Sequence, residues 1–435
     1  MTIQEKITDI LDRLSKAPLP VIDLSLTRIT QFLNMLDNPE KRLPPVIHVA
    51  GTNGKGSLVA YLQAIFTEAG FLVHSYISPH LVSFSERIII NGKQITDEKL
   101  LDVLQRVEQK SKNFPLTFYE ATTAAAFLAF SENNADILLL ETGLGGRLDA
   151  TNIVEKPLLT AITPIGMDHM NFLGNNLLEI AQEKAGIIKN SVPCVVGNQA
   201  IEVNELLKII AQQKNAPLFI QGRDYKITAY KQAFDYIEDN EQLDNLVPSL
   251  AGKHQYENAA TAIACIKRLP QFQISEKNIR SGIQKAVWNA RLQLLKSGNL
   301  VEILPKDWNL WLDGGHNPAA GAILANWCEH NNKKPYLIVG MVQGKDAQGF
   351  LSPLKEYAQS TYLVPIIGEE TSMQPKDLAA AIANLSLDIN IETSVKAALE
   401  RIVSEVDAKT VDILICGSLY LAGKVLAQND LNKRG

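Results

Sequence analysis

From residue 45 onward, short runs of Val, Ile and Leu alternate with longer stretches of helical period, and few architectures accept that order. An apolar run buried on both faces, followed by a helix, is the repeating unit of a parallel sheet covered by helices. The pattern predicts strands over 45–50, 71–77, 135–141, 158–165 and 192–196, and a helix through "SLVAYLQAIFTEAG" that stops at Gly70. Residues 224–250 read as short antiparallel strands, and "HQYENAATAIACIKRL" as a helix. A second alternation begins near 300 and ends with "VDILICGS" and a last helix. The poorly periodic "WNARLQLLKSGN" separates the two patterns. The expected fold is α/β, with domains at 1–294 and 295–435. The first is a mainly parallel sheet bearing a P-loop, and the second is a smaller Rossmann-like α/β domain. At 435 residues the chain can bury two or three cores.

Composition narrows the function. The formal net charge is -5 and no Lys/Arg stripe is long enough to follow a polynucleotide backbone, so nucleic acid is not the expected partner. No apolar run reaches the ~20 residues of a membrane span. Charges run through "MTIQEKITDILDRL", where a signal peptide needs an apolar core, so the expected location is the cytoplasm. Cys194, Cys265, Cys328 and Cys416 lie far apart without metal-ligand spacing and read as buried thiols.

Five stretches carry chemistry. "IHVAGTNGKGS" leaves an apolar strand through a glycine-rich turn into a helix, a geometry that gathers backbone N–H groups around an anion and adds the charge of Lys55. The spacing departs from the Walker pattern, because Val49 stands where the first glycine should be and Gly56 separates Lys55 from Ser57. "ADILLLE" ends on Glu141, at the strand end where an α/β sheet holds a metal against phosphates. "GMDHMNFLG" offers His169, and "LLEIAQEKAGIIK" sets Lys184 on an otherwise apolar and small-residue face. "LWLDGGHNPAAG" places Asp313 and His316 at the end of another strand, ahead of a helix opened by Asn317 and Pro318. Taken singly, each has a plainer reading: a tight turn, a solvated glutamate, a structural histidine, a snorkelling lysine, a helix cap.

Together, in order, "GTNGKGS", "SPHLVSFSERI", "ETGLGGRLDATNIV", "GMDHMNFLG", "EKAGIIK", "LDGGHNPAA" and "GSLYLAG" resemble the bifunctional dihydrofolate synthase/folylpolyglutamate synthases, the folate branch of the Mur ligase superfamily. In that branch the extra Gly56 is normal. The resemblance implies a first domain of the Mur ligase central type. Gly51, Thr52, Asn53, Gly54, Lys55, Gly56 and Ser57 would form the ATP phosphate loop. Ser78, Glu141, His169 and Lys184 would hold one Mg²⁺, with Ser57 near a second, and Lys184 would be carbamylated. Asn258, Arg291, Asp313 and His316 would reach the nucleotide, and "NAR" here replaces the usual "PGR" before Arg291. Asp23, Ser25, Tyr119, Asp149 and Ala150 would line the pterin site, with Ser25 replacing a common glycine, and Ser418 would lie on the glutamate side.

The implied enzyme is an ATP-dependent acid–amino-acid ligase, monomeric, with Lys55, Lys184 and His316 as its catalytic set. It would add L-glutamate to dihydropteroate and to reduced folates through an acyl phosphate. Three alternatives stand beside it: a folylpolyglutamate synthase without dihydropteroate activity, a Mur ligase acting on a UDP-linked precursor, and a nucleotide-gated switch.

Overall fold

A computed structural model describes residues 1–16 and 25–430, and places the chain in two compact units. The first comprises Met1–His80, Phe84–Ser249 and Gln255–Val287. Its main sheet has eight strands: β1 Val46–Ala50, β2 Val73–Tyr76, β3 Ile88–Ile90, β4 Lys93–Gln94, β5 Ile137–Glu141, β6 Leu159–Ile162, β7 Cys194–Val196 and β8 Leu218–Ile220. Their spatial order is β4-β3-β2-β5-β1-β6-β7-β8, parallel except for the β3 and β4 additions at one edge. β1 lies between β5 and β6, with Val49 opposite both Glu141 and Ala161. All five β1 residues are buried, which is why the run reads as continuous apolar sequence and not as alternation.

Helices cover both faces. Lys55–Glu68 follows β1 and packs on Glu276–Lys285 so closely that a Cβ on Gly282 would lie 2.6 Å from Ile65 Cα. On one side of the sheet, Phe118–Ser131 is buried along most of its length in a core with Ile29, Phe32 and Leu104. Residues 224–250 form the expected antiparallel strands β9 Tyr225–Ala229, β10 Phe234–Glu238 and β11 Glu241–Leu246.

The second unit comprises Trp288–Gly435 with the short segments Leu81–Ser83 and Leu250–His254. Its strands are β12 Gln293–Leu295, β13 Asn309–Leu312, β14 Tyr336–Val339, β15 Thr361–Leu363, β16 Ile389–Ile391 and β17 Asp412–Cys416, in the order β12-β13-β17-β14-β15-β16. The main segment begins ahead of the expected residue 295, because β12 pairs antiparallel with β13 and carries the linker into this sheet. The two short segments come from chain positions that no local pattern distinguishes. Among the described residues no helix is long and apolar enough to cross a membrane, and all four cysteines are buried and free.

Candidate active site

The turn after β1 is built for close approach. Gly51, at φ +153°, faces Thr163, and any Cβ there would collide with the threonine hydroxyl. Gly54, at φ +87°, caps Lys55–Glu68, and its Cβ would lie 2.6 Å from Asn258 Oδ1. Thr52 and Asn53 both donate their backbone N–H to Pro164 O, at 3.0 and 3.2 Å, and the Thr52 hydroxyl donates to Gly166 O at 3.0 Å. Those bonds anchor the turn to the end of β6. The anion cradle is therefore narrower than the motif, and falls to the first-turn amides of Lys55, Gly56 and Ser57, which have no partner inside the helix.

Lys55 Nζ donates to Gly51 O at 3.1 Å and lies 3.8 Å from Glu141 Oε1. The sequence pattern alone left these two residues in separate motifs; parallel pairing of β1 with β5 joins them. Ser57 is buried, and its Oγ accepts from Gln255 Nε2 at 3.2 Å. Asn258 Nδ2 in turn donates to Gln255 Oε1 at 3.1 Å. One face of the helix His254–Lys267 thus carries Gln255, which sequence reasoning missed, and Asn258 toward the phosphate loop.

Lys184 is the least ordinary group of the site. It lies 4 % exposed on the helix Leu177–Ala185, and its Nζ donates to Gly51 O at 2.9 Å. Burial, and then the charge of Lys55, bring its ammonium down from 10.5 to about 7, against the weaker pull of Asp168 and Asp149. A buried amine that is half neutral near pH 7 is a nucleophile, not a snorkelling surface cation.

His169 stands apart. It caps the one-turn helix Met170–Leu173 with a left-handed backbone at φ +52°, its ring 3.9 Å from Asp168 and 43 % exposed. Glu141 is buried by comparison, and the Ser78 hydroxyl is buried without a hydrogen-bond partner among the described residues. No cluster of three or more His, Cys, Asp or Glu side chains forms among those residues. A hard divalent cation would instead draw on one carboxylate, Glu141, with hydroxyl oxygens, and the orphaned Ser78 Oγ fits that donor chemistry.

The expected pterin residues divide. Asp149 is buried and its carboxylate accepts from the N–H groups of Gly143, Leu144 and Thr151 at 2.8–3.0 Å and from Thr151 Oγ1 at 2.5 Å. Its immediate work is to shape the turn that precedes Ala150. Tyr119 packs its ring on Gly143, and its hydroxyl is buried without a hydrogen-bond partner among the described residues. Ser25 caps the helix Leu26–Met35 without a side-chain bond, and Asp23 lies outside the described residues. Arg28 in that helix donates to buried Glu120 at 2.8 Å, a pairing no local pattern announces.

In the second unit, buried Asp313 accepts from Leu292 N at 2.8 Å and Gly315 N at 2.7 Å. Burial raises its carboxyl, opposed first by the charge of Arg291. Arg291 sits between Ala290 and Leu292, both left-handed at φ +56° and +45°, a strained presentation held by Asp313 and by Gly314 N donating to Ala290 O. His316 Nδ1 is 3.1 Å from Gly314 O. Ser418 caps Leu419–Asn429 by accepting from Tyr420 N at 3.1 Å.

Two family models match: residues 297–428 fit "Dihydrofolate synthetase, C-terminal domain", and residues 49–266 fit "Mur ligase middle domain". The dihydrofolate synthase/folylpolyglutamate synthase of Bacillus subtilis is 34 % identical over 420 residues, covering 92 % of this chain and 94 % of the relative. The chain belongs to the dihydrofolate synthase/folylpolyglutamate synthase family. That family comprises ATP-dependent ligases of the Mur ligase type. A structure of Escherichia coli FolC in complex with DHPP and ADP superposes with TM-score 0.86 at 29 % identity, covering 97 % of both chains. The bifunctional enzyme of Yersinia pestis, complexed with AMPPNP and Mn ion, gives 0.85 at 29 % identity, covering 98 % of both. The family's adenine nucleotide and divalent metal agree with the loop and the oxygen donors described above.

Proposed function

We propose that the chain adds L-glutamate to 7,8-dihydropteroate and, in further rounds, to reduced folates, each time by ATP-dependent amide ligation. The observation that carries this reading is the convergence of Lys55, Glu141 and buried Lys184 on the Gly51 turn. A carboxylate is a poor electrophile, so one of its oxygens attacks the γ-phosphorus in line and ADP leaves, giving an acyl phosphate. Lys55 and the amides of residues 55–57 stabilise the charge of the transferring phosphoryl group. The glutamate amine then attacks the acyl carbon, phosphate leaves with the C–O electrons, and the amine gives up a proton.

Mg²⁺, when bound, neutralises charge on the β- and γ-phosphate oxygens. Glu141, the Ser57 and Ser78 hydroxyls, His169 and modified Lys184 are the residues we assign to hold it, at two sites. An unmodified ammonium would repel the cation. The neutral Lys184 amine adds to carbon dioxide to give a carbamate and releases a proton, which turns a positive group into an anionic oxygen ligand. Burial and Lys55 supply the neutral amine that this step requires. Gly51, Thr52, Asn53, Gly54 and Gly56 complete the loop, Asn258, Arg291, Asp313 and His316 serve the nucleotide, and Ser418 the glutamate. Asp23, Ser25, Tyr119, Asp149 and Ala150 are assigned to the pterin. The cytoplasm as location and a monomer as working form belong to the same reading.

The test supplies purified protein with ATP, L-glutamate and either dihydropteroate or a reduced folate, and measures phosphate release with product mass. Turnover of both establishes the bifunctional enzyme. Turnover of folate alone reduces it to a folylpolyglutamate synthase. ATP hydrolysis that needs neither acceptor refutes the ligase reading.

A further inference from the structure

The first unit holds a cleft of about 560 Å³ whose charge runs against that of the chain. Its cationic lining is Arg147, Lys156, Lys189 and Lys214, and its one carboxylate is Glu155, whereas the whole sequence carries a formal net charge of -5. None of these residues has a part in the site described above, and the cleft includes no residue of the phosphate loop. The volume is that of a small-molecule site. Hydrogen bonds tie its walls together. The Arg147 N–H donates to Glu183 O at 2.7 Å, and Asn152 Nδ2 donates to the carbonyls of Arg147 and Gly186 at 3.0 and 3.1 Å. Lys189 Nζ donates to Asn152 O at 2.9 Å, and Ser191 N donates to Lys214 O at 2.9 Å. The loop after β5, the end of the helix Leu177–Ala185 and the end of the helix Ile201–Gln213 thus form one laced rim.

The charges on that rim are not neutralised within the chain. Arg147 pairs with Glu183 at 2.8 Å, but Lys156, Lys189 and Lys214 form no ion pair among the described residues. Glu155 can neutralise one ammonium at most, which leaves two. The dipole of a helix explains a cation at its C-terminus, and Lys214, the C-cap of Ile201–Gln213, is of that kind. Lys156 and Lys189 lie outside any helix and still face the same cleft. Like charges gathered around one hollow repel each other, and an anion inside relieves that repulsion. The carboxamides of Gln182, Asn190 and Gln213 add donors for its oxygens. An ammonium is a point charge that takes phosphate and carboxylate alike, so an anion with several charges gains from each lysine it reaches.

We propose that this cleft binds a small polyanion carrying at least two negative charges, a phosphate chain or an oligocarboxylate, at a site separate from the phosphate loop. The experiment is equilibrium dialysis of the full chain, without divalent metal, against labelled pyrophosphate and labelled tri-γ-glutamate. Saturable binding of at least one probe, tighter than ~1 mM and weakening as salt rises, is expected. The tighter probe identifies the source, phosphate or carboxylate. Lys189→Gln combined with Lys214→Gln should weaken binding by about fivefold or more. Lys208→Gln removes an exposed lysine that pairs with Glu205 on the same helix outside the cleft, and should leave binding unchanged. Lys55→Met, which removes the cation of the phosphate loop, should also leave it unchanged. Circular dichroism checks that each variant folds, and the exposed Lys156 and Lys214, changed singly to Gln, carry the test if the Lys189 variant does not. Absence of binding by both probes overturns the proposal, as does binding indifferent to the cleft lysines. Equal weakening in Lys208→Gln overturns it in favour of diffuse attraction, and loss in Lys55→Met alone overturns it in favour of the phosphate loop.

Discussion

Lys184 offers the most direct test of the site chemistry. An amine at the ordinary 10.5 is neutral to only ~0.1 % at pH 7.5, whereas one at about 7 is neutral to roughly 75 %, nearly 10³-fold more of the form that reacts with carbon dioxide. Lys184→Met keeps the apolar volume and deletes the amine. On the proposed role of Lys184 as a carbamate ligand of the metal, its loss is expected to lower kcat by about 10²–10³. The assay is phosphate release at saturating substrates, run with and without bicarbonate, alongside incorporation of labelled bicarbonate into intact protein. Wild type stripped of carbon dioxide should lose turnover and regain it on adding bicarbonate. Lys184→Ala, which leaves space, should be restored in part by acetate or formate. The sign of the stability effect separates this from unfolding. With a folded value near 7 and an unfolded value of 10.5, the unfolded chain holds more protons between those limits, so Lys184 weakens unmodified wild type increasingly as pH falls from 10.5 to 7. Lys184→Met should therefore melt no lower than carbamate-free wild type at pH 7.5. Full turnover in Lys184→Met, or wild-type activity indifferent to bicarbonate, would refute the reasoning.

Glu141→Ala should fold, as judged by an unchanged circular dichroism spectrum, but lose Mg²⁺-dependent turnover, and a wild-type magnesium titration curve would remove Glu141 from the metal site. Gly282→Leu drives a side chain into Ile65 at the contact of helices Lys55–Glu68 and Glu276–Lys285, and should destabilise the first unit by about 1–3 kcal/mol in urea unfolding. His48 is fully buried beside Thr151, with Nε2 2.8 Å from Oγ1, and burial brings it from 6.5 to about 3. The unfolded state binds its proton first, so stability is intact above pH 6.5 and falls as pH drops toward 3, by roughly 1.4 kcal/mol per pH unit for this one imidazole. His48→Gln should flatten that slope in urea midpoints taken between pH 6 and 4.

What was legible in the sequence was local. Five expected strands of the first sheet, the phosphate turn and the strand-end position of Glu141 follow from periodicities of two to four residues, which a backbone hydrogen-bond ladder or one helical turn enforces on its own chain segment. The family likewise followed from the order of seven short motifs. The tertiary structure decided the rest, because charge and burial are set by segments far apart in sequence. Thr52 and Asn53 look like phosphate ligands until Pro164 takes their N–H groups. Lys184 looks like a surface lysine until the Gly51 carbonyl, 133 residues away, accepts from its amine in a site closed to water. Lys156, Lys189 and Lys214 look like ordinary solvated lysines until three separate segments bring them around one cleft. The sequence by itself determined which backbone conformations the chain adopts and which chemical groups it carries. Only the packed structure decided which of those groups lose water, and electrostatic interactions that water would screen become strong there.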